Sequence, residues 1–290
     1  MFWYRVYYGY SRMFAWLPLR CLYLISDLMY VQVCYIFRYR RKVVMENLRN
    51  SFPEKTEKER RRIARKFYRF LCDLYIETIK LTNIDTAEIR RRICYSNPEI
   101  LDELYRKGKQ VFVITGHYGN WEWLATLEGT VPYHHATLYQ PLTNKVMDKF
   151  FYDTRTKYGT DAIPAASVLS AINQYRYESR LTTLCFLSDQ SPPRHAIKHR
   201  TTFLNQDTAV YTGVEKLARR YNTAVLYYEI RRVKRGYYEV DITPITANAA
   251  VTAEKEITEH HVRLLEETIR RNPQYWLWSH RRWKHKRKEN

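Results

Sequence analysis

At 290 residues the chain is long enough for one large domain or two small ones, and 45% apolar residues suffice for a sizeable core. A net charge of +19 narrows the partners to anions: nucleic acid, an anionic membrane or an anionic substrate. The 26 Tyr and 7 Trp suit a lipid–water interface. Cys21, Cys34, Cys72, Cys94 and Cys185 are odd in number and lack any Cys-x-x-Cys, which reads as reduced core thiols in a cytosol-facing protein with no metal site.

Residues 1–40 read as a membrane-anchoring segment ahead of a single domain over 41–290. Leu17–Phe37 is largely apolar but interrupted by Pro18, Arg20, Asp27 and Gln32. Asp27 near the middle would cost about 2.5–3.5 kcal/mol in a bilayer, so an interfacial anchor fits at least as well as a full span. No small-residue cleavage site follows, which argues against a removed signal peptide. The spacing of Ile63, Phe67, Phe70, Leu71, Leu74 and Ile79 predicts a long helix from Glu54 to Leu81. Its Arg60, Arg61, Arg62, Arg65, Lys66 and Arg69 form either a solvated face or a contact for acidic phospholipid or an acidic carrier protein. Short helices are expected near Thr86–Cys94 and Pro98–Arg106.

Val111–Ile114 then reads as a buried strand, broken by Gly116 and Gly119. Asn120 is a good N-cap for a helix that begins at Trp121 and ends near Gly129. His117 thus lies in a strand-to-helix loop, with Glu122 in the first helical turn, where the helix dipole favours the anion. A carboxylate facing an imidazole raises its basicity and holds its tautomer, as a general base requires. His261 and Glu266 repeat the spacing, but in mid-helix five residues turn by about 140° and separate the two side chains.

A strand at His134–Tyr139 precedes a helix from about Asn144, on which Met147, Phe151 and Arg155 share one line; an arginine in register with core residues needs a partner or an anionic ligand. Strands at Asp161–Ala165 and Leu181–Leu187 flank a helix from Ala166 to about Tyr177. The alternation predicts an α/β fold, a mixed, largely parallel central sheet flanked by helices, with ligands gathering beyond the carboxyl ends of the strands. Asp189 and Gln190 follow one such end and His117 another, so Asp189 can reach the same crevice, with Arg194 and Lys198 offering phosphate-binding charge. A helix over Thr208–Tyr221, a hairpin of Thr223–Arg231 with Tyr237–Thr243, and a helix Ala253–Arg271 with His261 at the core edge complete the body. The Trp- and Arg-rich end, Asn272 to Lys288, reads as an interfacial edge.

His117 to Glu122, the stretch Tyr39 to Pro53, Arg155 before Tyr158-Gly159, the Asp189 loop and the closing Trp/Arg segment together resemble the lipid A late acyltransferases of Gram-negative bacteria, a branch of the glycerolipid acyltransferase superfamily. The resemblance spans nearly the whole chain; glutamate, as at Glu122, is usual in this branch where the phospholipid branch carries aspartate. It implies transfer of a fatty acyl group from acyl carrier protein to a hydroxyl of a lipid A precursor, at the cytoplasmic face of the inner membrane, without a cofactor or metal. It also implies catalytic roles for His117, Glu122, Arg155 and Asp189. On the residues themselves, His117 and Glu122 form a general-base dyad, and Asn120, Gln190, Arg194 and Lys198 contact substrate. Gly119 amides or Arg155 would stabilise the oxyanion. No Gly-x-Ser-x-Gly supplies a protein nucleophile, so the substrate hydroxyl attacks directly. The chain departs from the family's Tyr-Arg-Pro with Tyr139-Gln140-Pro141, which leaves open acylation of another lipid, such as a lysophospholipid or an aminolipid, from acyl-CoA or acyl carrier protein. A basic nucleic-acid-binding protein is the rival of another class, but zinc-ligand spacing, RNP motif and heptad zipper are all missing.

Overall fold

The structure, a computed structural model, describes residues 2–285. Lys286 to Lys288, part of the basic end considered above, lie outside the described residues. Helices α1 (Phe2–Ala15) and α2 (Leu19–Val31), the latter continued by a wider turn to Ile36, lead into α3 (Arg41–Ser51) and α4 (Glu57–Lys80). Helix α4 starts at a capping box, in which the Thr56 hydroxyl accepts from the Glu59 N–H and the Glu59 carboxylate accepts from the Thr56 N–H. Leu19–Ile36 is a continuous apolar helical stretch of 18 residues with a mean hydropathy of 1.3. Leu19, Leu22, Tyr23 and Ser26 turn inward, whereas Leu24, Leu28, Val31, Ile36 and Phe37 are exposed. Asp27, the residue most hostile to a bilayer, does not stand alone: the Arg235 guanidinium donates to both its oxygens at 3.0 Å and also reaches buried Asp73 at 2.6 Å.

After α5 (Thr86–Arg90), β1 (Ile93–Tyr95) and α6 (Glu99–Arg106) come β2 (Val111–Thr115), β3 (His134–Tyr139), α7 (Lys145–Thr156), β4 (Asp161–Pro164), α8 (Val168–Tyr177) and β5 (Thr182–Leu187). Then follow β6 (His199–Phe203), β7 (Gln206–Val210), α9 (Gly213–Tyr221), β8 (Ala224–Lys234), β9 (Tyr237–Thr246) and α10 (Glu256–Arg271). Seven strands form one sheet in the order β1-β9-β8-β2-β5-β3-β4, parallel except for the β8–β9 hairpin. This is the mixed, largely parallel sheet that the alternation of elements predicts. One face packs under α2, α4 and the segment after β2, the other under α8, α9 and α10. All five residues of β2 are buried, as expected of a central strand covered on both faces.

Four local expectations are corrected. Thr208–Val210 belongs to β7, which pairs antiparallel with β6 through a two-residue turn with Leu204 at φ 49° and Asn205 at φ 62°; both central residues left-handed is the hairpin geometry, and leucine hid the signal. Cys94 lies in β1 rather than at the end of a helix. Cys21 and Cys94 are exposed, so not every thiol is in the core. Trp276, Trp278 and Trp283 are 2%, 0% and 8% exposed and pack with Phe52 and Phe203, so these indoles fill the core instead of lying at headgroup level.

Candidate active site

Register alone brings the reactive side chains together. Strands β2 and β5 run parallel with Thr115 opposite Leu187, and the Ser188 N–H extends the ladder to the Thr115 carbonyl. His117 and Asp189 therefore each stand two residues beyond a matched pair, side by side at the sheet's carboxyl rim. A Cβ on Gly116 would come within 3.2 Å of an Asp189 oxygen and 2.9 Å of Leu265, so glycine permits the approach. Gly119, at φ +62°, has Ile230 pressed where a side chain would be.

The imidazole Nδ1 of His117 lies 2.6 Å from Asp189 Oδ1, and the His117 backbone N–H donates to Oδ2 at 2.9 Å. The Trp276 indole N–H donates to Oδ2 at 2.8 Å. Burial pushes the Asp189 carboxyl up, but the charge of His117 and the hydrogen bonds from His117 and Trp276 outweigh it and hold the group well below the ordinary carboxylate range. A carboxylate at Nδ1 fixes the proton there and leaves Nε2 as the lone-pair nitrogen. That atom faces Gln190, whose amide nitrogen is 3.2 Å away. The C-terminal segment clamps the loop: the Gly119 N–H donates to the Tyr275 carbonyl, and the Leu277 N–H to that of His117.

Glu122 is not the partner of His117, which corrects the expected dyad. Its carboxylate takes a two-pronged bond from Arg155, Nε to Oε2 at 2.9 Å and Nη2 to Oε1 at 2.7 Å. The segment after β2 is a tight 3₁₀ stretch, Trp121–Thr126, instead of a regular helix, and it turns Glu122 towards α7. Glu122 still bears on the imidazole indirectly. Oε1 accepts the Trp121 indole N–H at 3.1 Å, and that ring meets the His117 ring edge-on with centroids 5.0 Å apart.

Asn120 is fully buried and does not contact the cavity, contrary to the substrate-binding expectation. Its Oδ1 accepts from the Trp123 N–H and its Nδ2 donates to Glu77 Oε2 at 2.7 Å. Glu77, itself 0% exposed, also accepts from the hydroxyls of Tyr23 and Tyr238 at 2.7 Å each. Nor is Gly119 a free oxyanion donor, since its N–H is committed to Tyr275. Arg194 and Lys198 are exposed and stand outside the cavity wall.

His117, Glu122, Arg155 and Gln190 line one cavity of about 1010 Å³. Sequence reasoning missed Trp276 and Glu77. Nothing near Trp276 in the sequence hints at its role, but Glu77 had a signal: with Asp73 it is a carboxylate among the apolar residues of α4. His261 is buried, and burial pulls it down to about 4, as for a neutral core histidine.

A buried carboxylate, an imidazole with Nε2 as its lone-pair nitrogen and a large cavity at a sheet rim suit removal of a proton from a hydroxyl. Residues 2–285 match the family described as bacterial lipid A biosynthesis acyltransferase. The chain is 23% identical over 285 residues to the lipid A biosynthesis palmitoleoyltransferase of Escherichia coli K12, covering 93% of this chain and 90% of the relative. It is similar to the same extent to the lipid A biosynthesis acyltransferase of Shigella flexneri, with 23% identity and the same coverage. With the family matched along nearly its whole length, the chain belongs to the bacterial lipid A biosynthesis acyltransferases and is an O-acyltransferase.

Proposed function

We propose that the protein moves a fatty acyl chain from the thioester of acyl carrier protein to a hydroxyl of a lipid A precursor by direct attack, with His117 as general base. The observation that carries this reading is the His117 pair: Asp189 holds Nδ1 at 2.6 Å while the ring borders a cavity of chain-accommodating size. The acceptor hydroxyl displaces the Gln190 amide from Nε2 and gives up its proton there. Its oxygen adds to the thioester carbonyl, the C–S bond breaks, and the imidazolium returns the proton to the leaving thiolate. Asp189 faces the positive charge the ring carries in between. Glu122 and Arg155 hold Trp121 and the cavity wall, and Arg155 borders the space where the oxyanion develops. The exposed apolar side of α2 supports seating of residues 1–40 in the inner membrane, with residues 41–290 forming the acyltransferase domain at its cytoplasmic face.

The test is acyl transfer by purified protein from an acyl carrier protein thioester to a lipid A precursor, with His117→Ala as control. Transfer at the wild-type rate by that variant would overturn the reading. Gln140, at the position where the resemblance leads one to expect arginine, lies in the cavity wall, and on that ground a different membrane lipid is the second reading. Transfer to lysophospholipid but not to the lipid A precursor would favour it.

A further inference from the structure

Successive strand residues face opposite sides of a sheet. On β5, Cys185 faces one side and Phe186 the other; on β3, opposite β5, His135 and Leu138 are likewise divided. All four line the same cavity, which therefore wraps around the sheet's carboxyl rim, where His117 stands, and has two arms.

One arm runs beneath the Trp121–Thr126 segment along the face of Val113 and Cys185. It ends blindly on His135, Thr183 and Tyr228, which are 6%, 3% and 3% exposed. From Leu187 at the rim to Thr183 is four residues, a depth of ~13 Å at ~3.3 Å per residue. The other arm crosses Phe186 and Leu138 and lies between the starts of α8 and α9, against Val168 and Val214. It opens to the surface, because Gly213 at the start of α9 is exposed while lining it.

We infer that the open arm, between α8 and α9, binds a fatty chain of the acceptor lipid, while the blind arm takes the donor's acyl chain, the two meeting at His117. This rests on the reaction proposed above. A donor chain ends at its thioester and can be engulfed whole, which suits a closed slot. An acceptor hydroxyl belongs to a lipid whose headgroup stays outside, so its chain must enter through a mouth. The cavity wall taken as a whole is mainly apolar, as alkyl chains require, with His135, Thr183 and Tyr228 as a polar floor to the blind arm.

A side chain at Gly213 tests this cleanly. A Cβ there meets nothing within 4 Å and the residue lines the mouth, so there is room for the side chain of Gly213→Phe, and thermal melting checks that the variant folds. The full-length protein is assayed in mixed micelles against acyl thioesters of graded length, and against a lipid A precursor and its short-chain analogue. The expected result is a KM for the long-chain acceptor raised about tenfold or more, with the ranking of donors retained. In the blind arm Cys185→Met shifts the donor ranking towards shorter chains. A Gly213→Phe enzyme that reorders the donors, or whose acceptor KM stays within about twofold of wild type, overturns the assignment. Wild-type protein that acylates neither acceptor sinks the parent reaction, and this inference with it; wild-type activity with an indifferent Gly213→Phe sinks this inference alone.

Discussion

Asp189→Asn separates the two carboxylates that compete for the role of partner to the base. Oδ2 accepts two N–H groups, from the His117 backbone and Trp276, and among the described residues Oδ1 bonds only to the imidazole. The amide NH2 of asparagine therefore settles at the Oδ1 position, where it confronts one donor instead of two. Nδ1 must then accept, the ring proton moves to Nε2, and the atom that should take the substrate's proton already carries one. Loss of the correct tautomer and of the facing anion in a comparable triad costs about 10⁴ in kcat, or ~5.5 kcal/mol of barrier. Glu122→Gln acts elsewhere. It leaves the Arg155 guanidinium without its carboxylate and loosens Trp121, at about 3 kcal/mol of stability, with KM affected through the cavity wall. Steady-state kinetics with a carrier-protein thioester, alongside thermal melting, read both effects. The reasoning is refuted if folded Asp189→Asn keeps kcat within about tenfold, or if Glu122→Gln loses kcat by ~10⁴ with its melting temperature unchanged.

Acid should destabilise the fold well before carboxylates titrate. Burial pulls His135 and His261 from 6.5 down to about 4, so below pH 6.5 the unfolded chain binds protons that the native state refuses. Stability is thus complete above pH 6.5 and falls as pH drops towards 4, by up to ~2.7 kcal/mol per pH unit for two protons; urea unfolding that is flat from pH 7 to 5 contradicts this. Asn120→Ala removes one of the three donors to the buried Glu77 carboxylate and leaves the Trp123 N–H with the residue-120 carbonyl alone, so denaturant titration should show a loss of about 1–3 kcal/mol. A loss below ~0.5 kcal/mol would mean that water replaces the amide. Replacing Leu24, Leu28 and Ile36 on the exposed side of α2 with serine should sharply reduce flotation with anionic vesicles; unchanged flotation would remove α2 from the membrane contact.

What was legible followed from local chemistry. The run Val111–Ile114 and the glycines beside His117 announce a strand end, and the alternation of elements implies that another strand end, bearing Asp189, shares its rim. Which carboxylate meets the imidazole was not legible from spacing. The His117-x4-Glu122 interval is local, whereas the pairing is set by the β2–β5 register across 72 residues. The composition of the chain end misled in the opposite direction. Tryptophans next to arginines suggest an interface, but each indole N–H here has an internal acceptor, Asp189 for Trp276, the Pro273 carbonyl for Trp278 and the Thr208 hydroxyl for Trp283. An aromatic with its polar atom satisfied inside has no need of water.

The fork of Arg235 between Asp27 and Asp73 makes the N-terminal helix part of the body and not a leash. To slide away as an independent rod, α2 would have to strand a carboxylate in oil and abandon a guanidinium at the β8–β9 tip. A lipid surface that drew in the outer side of α2 would have to accept the hairpin alongside it, and the cavity would then keep a constant height and tilt above that surface.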